Sequence, residues 1–289
     1  MASTLLFGTA GIPLSAIDRS TEVGIKEIKK LGLGCMEIEF VRGVYLSEIK
    51  AQAVKKVAAT EGIALTVHAP YFINLSSSEA HKVIASKQRI LASARIGAKA
   101  GAKSVTFHPA YYGNKRPKEV YKAVKDNLLE ITTTLQSENI EIDIRPETTG
   151  KGTQFGTLDE IILLSQEVPM VKPCVDFSHV YARGVGNPNS YTEFMNLLER
   201  IETNLGQADI KDMHIHLSGI QYGNKGELKH LTIQDCPEFR YKELLQALSD
   251  KEVCGVLICE SPNLEVDAII FKQIYSAIQK ADEPLAQKN

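Results

Sequence analysis

The chain has 289 residues, of which 44% are hydrophobic and 24% charged, and its formal net charge is −2. This length and apolar content allow one large domain with a full hydrophobic core. The nearly balanced charge excludes a protein that attracts a polyanion such as DNA over its whole surface, so any nucleic-acid contact has to be local.

The sequence has no recognisable targeting or membrane segment. The N-terminus, MASTLLFGTAGIPLS, lacks the basic and long apolar regions of a signal peptide, and no run approaches the roughly 20 apolar residues of a membrane span. The five cysteines form no CxxC pair, which favours buried, reduced thiols. We therefore expect a soluble cytoplasmic protein.

Short β-rich runs alternate with longer amphipathic helical stretches along the whole chain. The predicted strands are LLFGT (5–9), MEIEF (36–40), ALTVH (64–68), SVTFH (104–108), EIDIR (141–145), PCVDF (173–177), MHIHL (213–217) and GVLICE (255–260). A helical pattern follows each strand, and no linker divides the chain. Eight such units predict an α/β protein, a single (β/α)8 TIM-barrel domain over residues 1–289.

Three local signals mark predicted helix starts. Ser76 with Glu79 and Thr157 with Glu160 have the spacing of a capping box, in which the first side chain and the fourth cap each other's backbone N–H. Pro117 stands where a first helical turn would begin. These signals support the count of alternating strands and helices.

Side chains that commonly bind metals collect at the predicted strand ends. Five of the seven histidines and three acids lie there or in the loop that follows: His68, His108, Glu147, Asp176, His179, His216, His230 and Glu260. In such a barrel all these positions meet on one rim. Carboxylates crowded on a rim repel one another unless a cation neutralises them, so the set predicts metal binding.

The alternative is that each histidine has only a structural role, as a hydrogen-bonded core or loop residue. It applies best to the two remaining histidines. His81 lies in a predicted helix remote from the strand ends, and His214 lies two residues deeper in its strand than His216. We expect His214 to be a core histidine whose ring is hydrogen-bonded. The alternative is that His214 orients the predicted ligand His216.

The motifs at these strand ends resemble those of one enzyme family. They are HAPYFINL (68–75), FHP (107–109), PETTGKGTQFG (146–156), VDFSHVYARG (175–184), HLSG (216–219), KH (229–230) and CESPN (259–263). Together they resemble endonuclease IV, the barrel-fold apurinic/apyrimidinic endonuclease family. The resemblance implies a phosphoric diester hydrolase for DNA repair. Such an enzyme cuts double-stranded DNA on the 5′ side of an abasic site by attack of a metal-bound hydroxide, leaving a 3′-hydroxyl.

The resemblance also implies a ligand set for a cluster of metal ions, usually zinc. By motif, His68, His108 and Glu147 would hold one ion, Glu147 would bridge to a second held by Asp176, His216 and Glu260, and His179 with His230 would hold a third. The chain thus predicts two or three Zn²⁺ ions, with Mn²⁺ as an alternative. Glu147 is the predicted catalytic residue, which bridges ions and orients the attacking hydroxide.

The chain departs from the family pattern at two places. The family has an Asp two residues before the last histidine, where this chain has Leu228. Glu227 is either a replacement carboxylate or a solvated loop charge. The first strand lacks the family's early His, and the second ends in Glu37 and Glu39 before FVRG. The family's lesion-probing arginine therefore has no clear match at Arg42.

The predicted loops on the same rim are more basic and aromatic than the chain as a whole. The basic residues are Arg42, Lys115, Arg116, Lys151, Arg183, Lys225 and Lys229, and the tyrosines are Tyr45, Tyr71, Tyr111, Tyr112, Tyr181 and Tyr222. Cations could bind phosphates there, and aromatic faces could stack on displaced bases. We name Tyr71, Arg42, Lys151 and Arg183 as DNA-binding candidates, and we expect the protein to act as a monomer.

Two other functions stay open at the level of sequence. A sugar isomerase or epimerase of the related xylose-isomerase-like barrels binds one ion through two Glu, one Asp and one His, a set that Glu147, Asp176, His216 and Glu260 would satisfy. The four further histidines favour the endonuclease. A barrel that binds damaged DNA without cutting it is the other alternative, because Leu228 removes an expected ligand.

Overall fold

The computed structural model describes residues 4–282, and its centre is a barrel of eight parallel strands. In chain order these are β1 (Leu5–Ala10), β2 (Cys35–Glu39), β3 (Ala64–His68), β4 (Ser104–Phe107), β6 (Asp143–Pro146), β8 (Cys174–Asp176), β9 (Met213–Leu217) and β12 (Gly255–Cys259). Four shorter strands, β5 (Ala110–Tyr111), β7 (Gln154–Phe155), β10 (Gly219–Gly223) and β11 (Gly226–Leu231), form two antiparallel pairs in the loops.

Helices follow the barrel strands around the outside. They are α1 (Thr21–Lys30), α2 (Glu48–Glu61), α3 (Ala80–Ala100), α4 (Pro117–Ser137), α5 (Leu158–Glu167), α6 (Phe177–Arg183), α7 (Tyr191–Leu205), α8 (Gln207–Ile210), α9 (Tyr241–Asp250) and α10 (Glu265–Asp282). Each longer helix buries an apolar stripe against the strands, as Val120, Val124 and Leu128 do on α4. Among the described helices, none combines the length and the apolar character that a membrane crossing requires.

Seven neighbouring strand pairs run in the order β6-β4-β3-β2-β1-β12-β9-β8. The remaining gap, between β6 and β8, is bridged by backbone hydrogen bonds. The Ile144 N–H donates to Met170 O at 2.9 Å, and the Thr148 N–H donates to Cys174 O at 3.0 Å. The predicted (β/α)8 fold is therefore confirmed, with all five cysteines buried and free of disulfide bonds as expected.

The helix-start predictions have mixed outcomes. Pro117 occupies the first turn of α4, and Thr157 and Glu160 form the predicted capping box of α5. The prediction for Ser76 and Glu79 was wrong, because α3 begins at Ala80 and Glu79 itself is the N-cap. Ser77 accepts the Glu79 N–H there at 3.2 Å, so the capping contact lies within the preceding turn.

Several strand ends also differ from the prediction by one or two residues. The largest difference is at β6, which was predicted to begin at Glu141 and begins at Asp143. After Asp176, α6 begins immediately and takes Phe177 out of the predicted strand 173–177. The Asp176 carboxylate accepts the His179 N–H at 2.7 Å, so it caps the helix at the residue where β8 ends. His108 and Glu260 lie one residue beyond their strands rather than inside them.

The close approach of β1 and β2 depends on a glycine. A Cβ atom built on Gly8 would lie 1.8 Å from the backbone oxygen of Cys35 on the paired strand. We predict that Gly8→Ala lowers the free energy of unfolding by about 1–3 kcal/mol, because the strands have to move apart in a packed core. Urea unfolding followed by circular dichroism measures the change.

The matched control is Gly43→Ala, since Gly43 is exposed and a Cβ atom there meets nothing within 4 Å. Its free energy of unfolding should stay within about 0.5 kcal/mol of the wild-type value. Equal stability of the two variants would contradict the close packing of β1 against β2.

Candidate metal centre

The site is built around the carboxylate of Glu147, which follows β6 and is completely buried. One oxygen, Oε2, lies 3.4 Å from His68 Nε2 and 3.2 Å from His108 Nε2. The other, Oε1, lies 3.1 Å from His179 Nδ1 and 3.4 Å from His216 Nδ1. Four histidines from four separate strand ends thus surround one carboxylate.

Two further carboxylates complete the inner cluster. Glu260 Oε1 lies 3.3 Å from His216 Nδ1, and Asp176 Oδ2 lies 3.3 Å from His179 Nδ1. Asp176 is also buried, and its other oxygen, Oδ1, caps α6. The eight side chains that the sequence singled out therefore lie together at the barrel mouth, since His230 contacts both His179 and Glu260.

Contacts behind two histidines decide which ring nitrogen faces the cluster. His68 directs Nδ1 to the backbone oxygen of Ala69 at 2.8 Å, which leaves Nε2 towards Glu147. His216 directs Nε2 to Glu37 Oε1 at 3.1 Å, which leaves Nδ1 between Glu147 and Glu260. Such outer contacts fix ring orientation and tautomer in metal sites.

Glu37 lies behind the cluster, and no role was predicted for it from the sequence. It lies on β2 inside the barrel, accepts the Thr66 hydroxyl at 2.8 Å, and lies 3.1 Å from His214 Nε2. Burial opposes its charge, yet the contacts with His216 and His214 hold the pKa of Glu37 well below its ordinary value. The sequence indicates only that Glu37, as an acid within a buried strand, needs a partner, and it does not indicate which residues supply that partner.

His214 is a buried core histidine, as predicted. Its Nδ1 lies 3.1 Å from Ser104 Oγ, and burial lowers the pKa of His214 to about 4. It contacts Glu37, which in turn contacts His216, so it also belongs to the support behind the cluster. His81 is exposed on α3 and remote from the mouth, as expected.

Burial and mutual charge shift the pKa values of the carboxylates and histidines at the cluster. Burial raises the pKa of Glu39 and of Glu260 to about 7. Burial opposes protonation of His68, but its contact with Glu147 and the charge of Glu39 raise the pKa of His68 to about 10. Protons on histidines thus balance the buried carboxylates, and a bound cation can replace those protons.

The donor atoms fit a metal cluster. Both oxygens of Glu147, Oδ2 of Asp176 and Nδ1 of His216 are buried without a hydrogen-bond partner among the described residues. Ligand atoms of one tetrahedral zinc ion are about 3.4 Å apart, because each lies about 2.1 Å from the metal. The separations of 3.2–3.4 Å between Glu147 and His68, His108 and His216 match that spacing.

The described part of the chain contains four groups of potential ligands, and within each group the ligand atoms all lie within 4.8 Å of one another. Three make up the predicted cluster: His68, His108 and Glu147; Glu147, Asp176, His216 and Glu260; and Asp176, His179, His230 and Glu260. The fourth joins Cys174 with His214 and His216. Burial raises the pKa of Cys174 to about 12, so its protonated thiol is a poor ligand.

The cluster opens into a cavity of about 480 Å³ at the barrel mouth. A larger cavity of about 760 Å³ lies at the opposite end of the barrel, where it contacts none of the cluster residues. At the mouth, Tyr71 is 60% exposed with its ring centroid 6.0 Å from that of His68, and Phe72 beside it is 65% exposed. Phe72 was not among the residues predicted from the sequence to bind DNA.

The predicted basic and aromatic rim is only partly free to bind a ligand. Arg42 is exposed and Lys151 half-buried. Arg183, however, donates through Nη1 to the backbone oxygens of Lys151 and Gln154, so it holds the loop after Glu147 in place. The prediction that Arg42, Lys151 and Arg183 bind DNA stays a prediction.

Among the loop tyrosines, Tyr181 was placed wrongly. It lies on α6, is 1% exposed, and stacks on Phe239 with ring centroids 4.6 Å apart. Tyr112 donates its hydroxyl to Glu160 at 2.7 Å and is half-buried. Tyr181 and Tyr112, two of the six tyrosines predicted to lie in the loops of the mouth, therefore make contacts within the protein.

The fold and the cluster define a β/α barrel with a metal-type site at the C-terminal ends of its strands. Residues 25–282 match the family model of the xylose isomerase-like TIM barrel, and the chain belongs to this family. The predicted resemblance to this group of barrels is thereby confirmed.

Among relatives, an uncharacterized protein of Methanocaldococcus jannaschii is 46% identical over 95% of this chain and 98% of its own length. A protein of Mycoplasma pneumoniae named probable endonuclease 4 is 25% identical over 74% of this chain and 72% of its own length.

Solved structures with the same fold include two differently named proteins. Endonuclease IV from Thermus thermophilus has a TM-score of 0.69 and 19% identity, over 94% of this chain and 99% of that one. A D-tagatose 3-epimerase-like protein has a TM-score of 0.71 and 20% identity, over 94% and 97%. At these identities the likeness shows the fold alone.

The position of Glu37 behind His216 leads to a testable prediction. Glu37→Gln removes the charge that orients His216, and such changes typically weaken metal affinity 10- to 100-fold. Competition between the protein and a chromogenic chelator for Zn²⁺ measures the affinity. Thermal unfolding checks that the barrel is intact.

Glu199→Gln is the control, because Glu199 is exposed on α7. Its zinc affinity should equal that of the wild type. Unchanged affinity in Glu37→Gln would mean that His216 needs no support from Glu37.

Proposed function

We propose that the protein is a metal-dependent DNA repair endonuclease that hydrolyses the phosphodiester on the 5′ side of an abasic site and leaves a 3′-hydroxyl. The observation that carries the proposal is the buried Glu147 carboxylate, whose two oxygens each face two histidines. Such an arrangement suits a carboxylate that bridges metal ions.

The number of histidines supports this function over single-metal chemistry. A single ion needs Glu147, Asp176, His216 and Glu260 only, a group whose donor atoms lie within 4.8 Å. The same mouth also contains His68, His108, His179 and His230, which a single ion would leave without a role. The relative named probable endonuclease 4 supports the same choice.

The residues divide into overlapping ligand sets. His68, His108 and Glu147 would hold one ion, Glu147, Asp176, His216 and Glu260 a second, and His179 with His230 a third. The mixed N and O donors suit Zn²⁺ and also admit Mn²⁺. When bound, such ions lower the pKa of water, neutralise the phosphate and stabilise the leaving oxygen.

The protein itself supplies position and access. Glu147 is the proposed catalytic residue, because its carboxylate belongs to both ligand sets and would help to orient the attacking hydroxide. The substrate we propose is double-stranded DNA with an abasic site. Tyr71 exposes its ring beside the cavity, where it could stack on bases, and the next residue, Phe72, is also exposed and could part a base step. Arg42 and Lys151 would contact phosphates.

The Glu147→Gln variant tests the proposal. Loss of the Glu147 charge should reduce incision of a duplex with one abasic site by about 10²–10³-fold, the scale found when one group that stabilises transition-state charge is removed. The fold should persist, since Gln has the same shape. Gel analysis of the product ends, with Zn²⁺ or Mn²⁺ added, measures the activity.

Glu199→Gln serves again as the matched control and should cut at the wild-type rate. Near-normal incision by Glu147→Gln would remove Glu147 from the mechanism. Binding of the abasic duplex by the wild type without incision would instead favour a damage-binding protein.

A sugar isomerase or epimerase is the second candidate, because the group of Glu147, Asp176, His216 and Glu260 can hold one ion and epimerase-like barrels share the fold. The two functions predict different metal contents. We expect two or three tightly held ions per chain by elemental analysis after removal of free zinc. One ion per chain would contradict the endonuclease proposal and favour the epimerase.

A further inference from the structure

The last histidine of the cluster lies on an irregular hairpin. In the β10–β11 pair, Ile220 faces His230 and Gln221 faces Lys229, but Tyr222 then faces Glu227. Leu228 has no residue opposite it, so it is the extra residue of a β-bulge. The bulge therefore falls at the position two residues before His230, where an acid was expected, and Glu227 is the residue next to it.

The bulge exchanges the faces of these two residues. In a regular strand, side chains alternate, so Leu228 would share the inward face with His230 and Glu227 would point outward. Here Leu228 is 61% exposed, while the side chain of Glu227 is only 13% exposed. Glu227 Oε2 lies 3.6 Å from His179 Nε2.

Two glycines make room for this carboxylate. A Cβ atom on Gly150 would lie 2.8 Å from Glu227 Oε2, and one on Gly226 would lie 2.2 Å from the Gly150 oxygen. The Glu227 N–H donates to that same oxygen at 2.9 Å. The hairpin is thereby attached to the loop after Glu147, and the Glu227 side chain is directed to His179.

We infer that Glu227 is the carboxylate ligand of the third metal ion, together with His179 and His230. His179 Nε2 lies 3.3 Å from His230 Nε2 and 3.6 Å from Glu227 Oε2. Both separations are close to the roughly 3.4 Å between ligands of a tetrahedral zinc ion. The bulge thus restores an acid at the place where Leu228 interrupts the family pattern. The inference rests on the proposed metal cluster.

Counting zinc tests the inference without measuring activity. Metal-free protein is reconstituted with excess Zn²⁺, freed of unbound metal by gel filtration, and analysed for zinc per chain. We expect three ions in the wild type and two in Glu227→Gln, because the neutral amide is a poor ligand. Thermal unfolding of the metal-free forms checks that both are folded.

Leu228→Ala is the matched control on the neighbouring bulge residue, and it should retain three ions. Three ions in Glu227→Gln, with three in the wild type, would overturn the role of Glu227 and leave the proposed endonuclease intact. Two ions in the wild type would overturn the third site only. One ion would overturn the inference and the endonuclease proposal together.

Discussion

The arrangement of the barrel mouth depends on one buried carboxylate, that of Glu147. Both oxygens of Glu147 are fully buried without a hydrogen-bond partner among the described residues. A charge in this position is costly unless opposite charge surrounds it. The neighbouring strand ends each contribute a histidine or an acid to the same small volume. The mouth is therefore arranged for cations, and the support behind it, from Glu37 to His214, keeps the rings in position.

Much of the barrel could be predicted from the sequence, because its strands are short apolar runs between helices of clear periodicity. Thr157 and Pro117 marked helix starts correctly since their signals are local. Ser76 did not, because a turn of the chain can use the same residue types without continuing as a helix. Phe177 was assigned to a strand because its apolar side chain fits either element, and the Asp176 cap decided between them.

The convergence of the predicted ligands was also accessible from sequence, since all parallel strand ends meet on one rim. The roles of Glu37 and Arg183 were not, because each depends on contacts between distant parts of the chain. Glu37 contacts His216 and His214 across the barrel interior, and Arg183 holds a loop through backbone oxygens. Tyr181 was misplaced because a short helix replaced the expected loop.

The bulge at Leu228 has a consequence for how such proteins are recognised. A sequence motif fixes the number of residues between two ligands. A one-residue bulge in a hairpin changes that number, yet both side chains can still lie on the same face of the hairpin. A fixed-gap motif that demands an acid two residues before His230 would reject this chain, whereas a search by strand face would accept it.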